Sequence, residues 1–294
     1  MIPPAPPPPY RTRLSVLFAS DAPRAVILRR GPRHVYRLVS WNTANDTFER
    51  GQWMRGTVKL CDLSPDGSKL LYWAAQYGPR RASALAQAHR RPFDPVKAGA
   101  GSAIKRLVKR QRQVPRYLAE LAGTPRGQVR VNTGTWTAIS TPPFFTALAI
   151  WPAVGSWTGG GVFRGNHEIA LYESAEGLAP QVNVELPKTF AIGMATSNPA
   201  AGVIDGRSAR HPDDAGDALK PLRATLEAAG CRWIDWIDTA HTTDLRFAAN
   251  GKVYRLGDWR DVPPAEYLTR AKLLIDLCED QFAPMAPTAA ALRW

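Results

Sequence analysis

The strongest chemical feature of this sequence is a concentration of cations. Residues 78–134 carry thirteen Lys/Arg against Asp94 and Glu120, a net of +11 in a chain whose total is +13. Within that segment Lys105, Arg106, Lys109, Arg110, Arg112 and Arg116 recur at helical spacing. They lie opposite an apolar stripe formed by Ile104, Leu107, Val108, Val114, Tyr117, Leu118 and Leu121. Pro115 must break or kink such a helix, because it removes an amide donor and clashes with the preceding turn. A cationic face of this width can track phosphates or an acidic protein surface. The segment holds no Trp, so the aromatic platforms of base-specific readout are not indicated.

Two polar clusters could support other chemistry. His211-Pro-Asp-Asp214 with Asp217 offers oxygen ligands in a loop, but the same residues suit the start of a helix, where acids complement the dipole. Asp235, Asp238, His241 and Asp244 would serve a hydrolase if a His came within hydrogen-bond reach of a carboxylate in a cleft. The sequence has no GxSxG elbow, no phosphate-binding GxxxxGK[ST] loop and no HExxH. His167 and Glu168 are adjacent on a short strand and so project to opposite faces. No catalytic residue, metal site or cofactor is therefore assigned. Trp53 and Trp157 sit between glycines and read as loop aromatics available to a partner, whereas Trp136 and Trp151 read as core.

The positioning elements are mostly strands. Leu60–Leu63, Ser-Pro-Asp-Gly (64–67) and Leu70–Trp73 predict strand, tight turn, strand. Pro65 presets the turn, Gly67 supplies positive φ, and Ser64 bonds the local backbone. The continuous apolar run Leu70–Trp73 predicts a strand buried on both faces. Further strands are expected over 24–30, 34–42, 47–49, 57–63, 135–140, 144–151, 168–172, 189–195, 231–237 and 271–277. Asn250-Gly251 predicts a type I′ hairpin joining 243–248 to 252–256. One helix is expected from Asp217 to Ala229, with Gly230 at its C-terminus. This yields a proline-rich tail (1–12), a first β part (13–77), a basic helical insertion (78–134), a second β part (135–284) and a C-terminal tail (285–294).

Composition bounds the class. With 45% hydrophobic residues and ten Trp, the chain can bury a substantial core. Cys61, Cys231 and Cys278 are few, odd in number and far apart, which predicts reduced, mostly buried thiols and no disulfide framework. The uncharged Met1–Pro9 stretch lacks the features of a signal peptide, and no apolar run reaches 18 residues, so a cytoplasmic protein without a membrane span is expected.

Leu63-Ser-Pro-Asp-Gly67 followed by Leu70-Leu-Tyr72 resembles the blade motif of WD40-like and TolB-like β-propellers. Ala25–Pro32, Asp46–Phe48 with Gly51–Trp53, Cys61–Gly67, and Thr135–Ser140 with Leu148–Pro152 are similar to a family of uncharacterised bacterial proteins carrying this turn. The resemblance implies an all-β, propeller-like stack of antiparallel sheets and no particular reaction. The expected function is a non-catalytic binding or scaffold protein. It would meet an acidic protein surface or nucleic acid through residues 80–130; a nucleic-acid accessory role and a hydrolase using His211 or His241 are the alternatives.

Overall fold

The computed structural model describes residues 11–75, 135–152, 159–172, 181–182, 187–195, 197–198, 203–204, 218–240 and 243–294. The proline-rich tail, the basic segment, Trp157, His211, Asp217 and His241 lie outside these residues.

The protein is all-β dominated, and its strands fall into four main sheets in chain order. Sheet I is the meander β1 (Arg13–Phe18), β2 (Arg24–Gly31), β3 (Val35–Asn42) and β4 (Thr47–Arg55). Sheet II is the meander β5 (Thr57–Leu63), β6 (Leu70–Ala75), β7 (Thr135–Ser140) and β8 (Ala147–Pro152), extended by β11 (Gln181–Val182). Sheet III joins β9 (Gly161–Gly165) to β10 (Glu168–Tyr172), with β12 (Ala191–Ala195) parallel to β10. β13 (Ser197–Asn198) and β14 (Val203–Ile204) form a two-stranded ribbon. Sheet IV is the meander β15 (Ile234–Asp238), β16 (Leu245–Ala249), β17 (Lys252–Leu256) and β18 (Lys272–Asp276). Helix α1 (Lys220–Ala228) precedes it, and the short α2 (Tyr267–Arg270) lies between β17 and β18.

Most of sheets I and II is buried on both faces, so alternation along a strand sorts side chains between two cores instead of between core and water. In sheet I, Leu17, Val26, Leu28, Tyr36 and Leu38 pack against Val58, Leu63, Leu70 and Tyr72 of sheet II and Phe145 of the β7–β8 connection. The alternate set, Val16, Phe18, Ile27, Val39 and Trp41, packs against Trp236, Val253 and Ile275 of sheet IV. Sheet II turns Leu71, Ile139, Leu148 and Trp151 onto Phe163, Ile169 and Leu171 of sheet III. All six residues of β6 are buried, as its apolar run predicts. The far face of sheet IV is covered by Leu222 and Leu226 of α1 together with Val262 and Tyr267.

The first strand of each sheet occupies an equivalent place. β1 lies against both β15 and β5, and β5 lies against β9. These strands are sheet edges, with backbone groups that in-sheet partners leave open. Two aspartates answer them. Asp235 on β15 accepts the Leu14 amide of β1 at 2.8 Å, and the fully buried Asp62 on β5 accepts the Phe163 amide of β9 at 2.7 Å.

Both predicted turns form as their residues require. At the Ser-Pro-Asp-Gly turn, Gly67 has φ +70°, its amide donates to the Ser64 carbonyl, and the Ser64 hydroxyl donates to Asp66 at 2.6 Å. At the second, Asn250 and Gly251 both take positive φ. Residues 285–294, expected as a tail, are held down: Trp294 packs on Phe190 with ring centroids 4.9 Å apart, and Gln52 donates to the Met285 carbonyl at 3.1 Å.

Candidate partner-binding face

The adjacent first strands run in the same direction, so the connections divide between two ends. One end holds the links at 31–35, Gly56, 75/135, 152/161 and Asn250-Gly251. The other holds the Ser-Pro-Asp-Gly turn with the links at 19–23, 43–46, 141–146, 166–167 and 239–244. This division decides where the basic segment belongs. Ala75 ends β6, Thr135 begins β7, and the two are register partners in an uninterrupted antiparallel ladder. The segment between them is therefore inserted into a hairpin of a single sheet. The sequence-level division at 77 and 135 cuts through sheet II rather than between two β parts. Lys105, Arg106, Lys109, Arg110, Arg112 and Arg116 themselves lie outside the described residues; what is fixed is the end from which their segment leaves and to which it returns.

Other cations collect at that insertion end. Arg13 opens β1 and is the register partner of Arg30 on β2, while Arg11 and Arg232 flank the starts of β1 and β15. Arg11 pairs with Asp235 and donates to the Trp233 carbonyl at 2.8 Å. Burial pushes the Asp235 carboxyl up to about 6, against the opposing pull of the Leu14 amide and of Arg11 and Arg13. The Arg30 Nε is buried with no hydrogen-bond partner among the described residues.

Trp53 corrects the loop reading. It lies within β4, is only 8% exposed, and is enclosed by the Arg29 and Arg37 guanidinium groups at 5.4 and 5.0 Å and by the Phe282 ring at 5.8 Å. The glycines around it misled because Gly51 marks a close approach instead of a loop. A Cβ there would sit 2.0 Å from the Pro143 carbonyl oxygen. The most exposed aromatic at the insertion end among the described residues is Trp233, 58% accessible at φ +65°. The sequence reading placed it inside a strand and gave it no role. Its neighbours in sequence carry no signal for a left-handed backbone; tertiary hydrogen bonds to its carbonyl set that conformation.

The predicted acid cluster around residue 241 is divided. Asp235 turns toward β1, whereas Asp238 and Asp244 surround Arg246 and Arg255 at the opposite end. Arg246 is 2% exposed, its guanidinium lies 5.1 Å from the Trp41 ring centroid, and it donates to the Thr43 carbonyl at 3.0 Å. Desolvation lowers its pKa, with Asp46, Asp238 and Asp244 opposing. Arg255 bridges Asp46 and Asp244. These carboxylates are thus engaged with arginines, an arrangement suited to joining the 43–46 turn to sheet IV. Among the described residues no group of three or more His, Cys, Asp or Glu is arranged to hold a metal ion.

A groove of about 480 Å³ opens at the same end between sheet I and the Ser-Pro-Asp-Gly turn, lined by Arg24, Ser40, Phe48, Glu49, Lys69 and Thr141 among others. Lys69 donates to Thr141 Oγ1 at 3.1 Å, and burial lowers its pKa against the attraction of Asp66.

Comparison with known proteins finds no family model, no curated protein and no solved structure that matches this chain. Among the described residues no helix is long and apolar enough to cross a membrane. Cys61, Cys231 and Cys278 are free thiols.

Proposed function

We propose that this protein is a propeller-type binding scaffold that presents its basic insertion to an anionic macromolecular partner. Three sheets built on four-strand meanders and a smaller fourth, whose first strands β15, β1, β5 and β9 contact one another in that order, support the propeller reading, as does the likeness of the Ser-Pro-Asp-Gly hairpin to WD40-like and TolB-like blades. The observation that carries the binding role is the Ala75–Thr135 pairing. It sets a segment of net charge +11 into one hairpin, at the end where Arg11, Arg13, Arg30 and Arg232 also lie. Fold alone assigns no activity, so the reading rests on this distribution of charge.

The test replaces residues 78–132 with a short glycine-containing turn. The shortened protein should keep its cooperative unfolding transition and elute from a heparin column at much lower salt, because counterion release from the polyanion scales with the cations engaged. Converting Lys105, Arg106, Lys109 and Arg110 to Glu in the full chain should have the same direction of effect. Elution unchanged by either alteration would refute the proposal.

A further inference from the structure

We infer that Trp233 and the arginines around it form a stacking platform for single-stranded nucleic acid, an inference that rests on the anionic-partner reading above and specifies the partner. Trp233 is the most exposed large hydrophobic residue among those described. Its backbone is held at φ +65°, a conformation in which a bulky residue is a genuine outlier. Two hydrogen bonds impose it: Arg11 Nη2 and the Asn250 amide both donate to the Trp233 carbonyl, at 2.8 and 3.0 Å. Strain that the surroundings over-determine is concentrated where proteins bind or react. Here it keeps an indole at the surface that a relaxed strand start would let turn inward.

The electrostatic setting fits a phosphate backbone. The Arg11 guanidinium lies 5.3 Å from the Trp233 ring centroid, while more than half of the residue stays open. Arg232 adjoins it in sequence and is exposed, and Arg13 lies close enough for its charge to act on Asp235. The nearby carboxylate, Asp235, is largely buried against Arg11 and the Leu14 amide and so projects little negative charge outward. Proteins that bind single strands combine such a cationic track with an aromatic face on which bases stack. Duplexes offer phosphates but no free base face, and an acidic protein offers charge without stacking partners. An unstacked strand uses both features.

The experiment is fluorescence anisotropy on the full chain with labelled dT20, a labelled 20-base-pair duplex and labelled poly-glutamate. Trp233→Gly removes the ring, and glycine adopts φ +65° without strain, so the variant should unfold as cooperatively as the wild type. Its affinity for dT20 should fall about tenfold, the loss expected for one base–aromatic stack. Trp233→Phe should retain most of the affinity, and neither variant should change duplex or poly-glutamate binding. Arg13→Glu with Arg232→Glu should flatten the salt dependence for dT20. Wild-type dT20 affinity in Trp233→Gly would overturn the inference, as would an equal loss toward all three probes, or a preference of the full chain for poly-glutamate. If the full chain binds all three alike and Trp233→Gly changes none, only this inference fails. If it binds none of them, the anionic-partner reading fails with it.

Discussion

Gly51→Ala offers a sharp test of how the sheets are assembled. Gly51 lies in β4 where the β3–β4 ladder shifts register, opposite the step from Arg37 to Val39. An added Cβ would meet the Pro143 carbonyl oxygen at 2.0 Å, its Cβ at 2.3 Å and its carbonyl carbon at 2.8 Å. These are backbone and ring atoms, so the 141–146 connection would have to move as a body. That connection is tied to the next residue: the Gln52 amide donates to the Pro143 carbonyl at 2.9 Å, and Gln52 Oε1 accepts from the Phe145 amide at 2.8 Å and Thr146 Oγ1 at 3.2 Å. Moving it also disturbs the buried Phe145, whose carbonyl accepts from the Tyr72 hydroxyl at 2.6 Å.

Weakening three hydrogen bonds at about 1 kcal/mol each, with about 1 kcal/mol of overpacking, offset by about 0.5–1 kcal/mol of backbone entropy gained from Gly→Ala, leaves a net loss of about 3 kcal/mol. For a chain of this size that lowers Tm by roughly 5–10 °C. Gly165→Ala is the matched control, because a Cβ there meets nothing within 4 Å. It should be neutral or stabilising by about 0.5 kcal/mol. Urea unfolding of the two variants decides: a Gly51→Ala protein within about 0.5 kcal/mol of wild type would refute the close-approach argument.

Three other outcomes follow from buried polar groups. Asp62→Ala leaves the buried Phe163 and Leu63 amides without their acceptors, which should cost about 2–3 kcal/mol in urea unfolding, while Asp62→Asn, which keeps an oxygen for one amide but turns an NH2 donor toward the other, should recover less than half of the loss. Asp235, with its carboxyl raised to about 6, is protonated in the folded state at pH values where the unfolded chain has already ionised. Its contribution is therefore fully present below about pH 4 and lost as pH rises through 6, a span worth about 2–3 kcal/mol. Asp235→Asn should flatten that part of the stability–pH profile; an unchanged slope between pH 4 and 6.5 would contradict it. Burial raises the thiols of Cys61, Cys231 and Cys278 to about 11 each, so at pH 8 the native protein should show no fast reaction with Ellman's reagent and the unfolded protein should show all three.

What the sequence disclosed and what it hid divide along physical lines. Turns were legible because single residues dictate them: Pro65 and Gly67, Asn250 and Gly251, and Gly230 behind α1 all adopt the conformations their chemistry favours. β6 was legible because a strand covered on both sides needs an unbroken apolar run. Glycine inside a strand was not. Gly51 and Gly161 resemble loop residues in sequence, yet each is required by a neighbouring chain that passes too close for a side chain. Trp53 was consequently assigned to a loop, and β9 went unnoticed. The candidate site divides the same way. The basic segment is evident from composition, since charge density is a one-dimensional property. Trp233 is not, because its exposure follows from hydrogen bonds donated by Arg11 and Asn250, of which Arg11 is more than two hundred residues away. The grouping of Asp235 with Asp238 failed for a related reason: Asp235 stands at the start of β15 and Asp238 at its end, so the two carboxylates serve opposite ends of the molecule.

The position of the insertion has its own logic. Closing the ends of the 59 residues between Ala75 and Thr135 costs only about 2 kcal/mol more than closing a four-residue turn, because closure entropy grows with the logarithm of length. The β6–β7 pair can bear that cost: six register partners join two strands whose residues are almost all buried. A one-residue slip would exchange Leu71 and Ile139, which face sheet III, with Tyr72 and Ala138, which face sheet I. Register is thus enforced from both sides, and the hairpin needs no tight turn to define it. A hairpin with one wet face would be held in register from one side only. The two-sided burial that makes β6 readable as an apolar run also allows this hairpin to carry the cations without loss of the sheet.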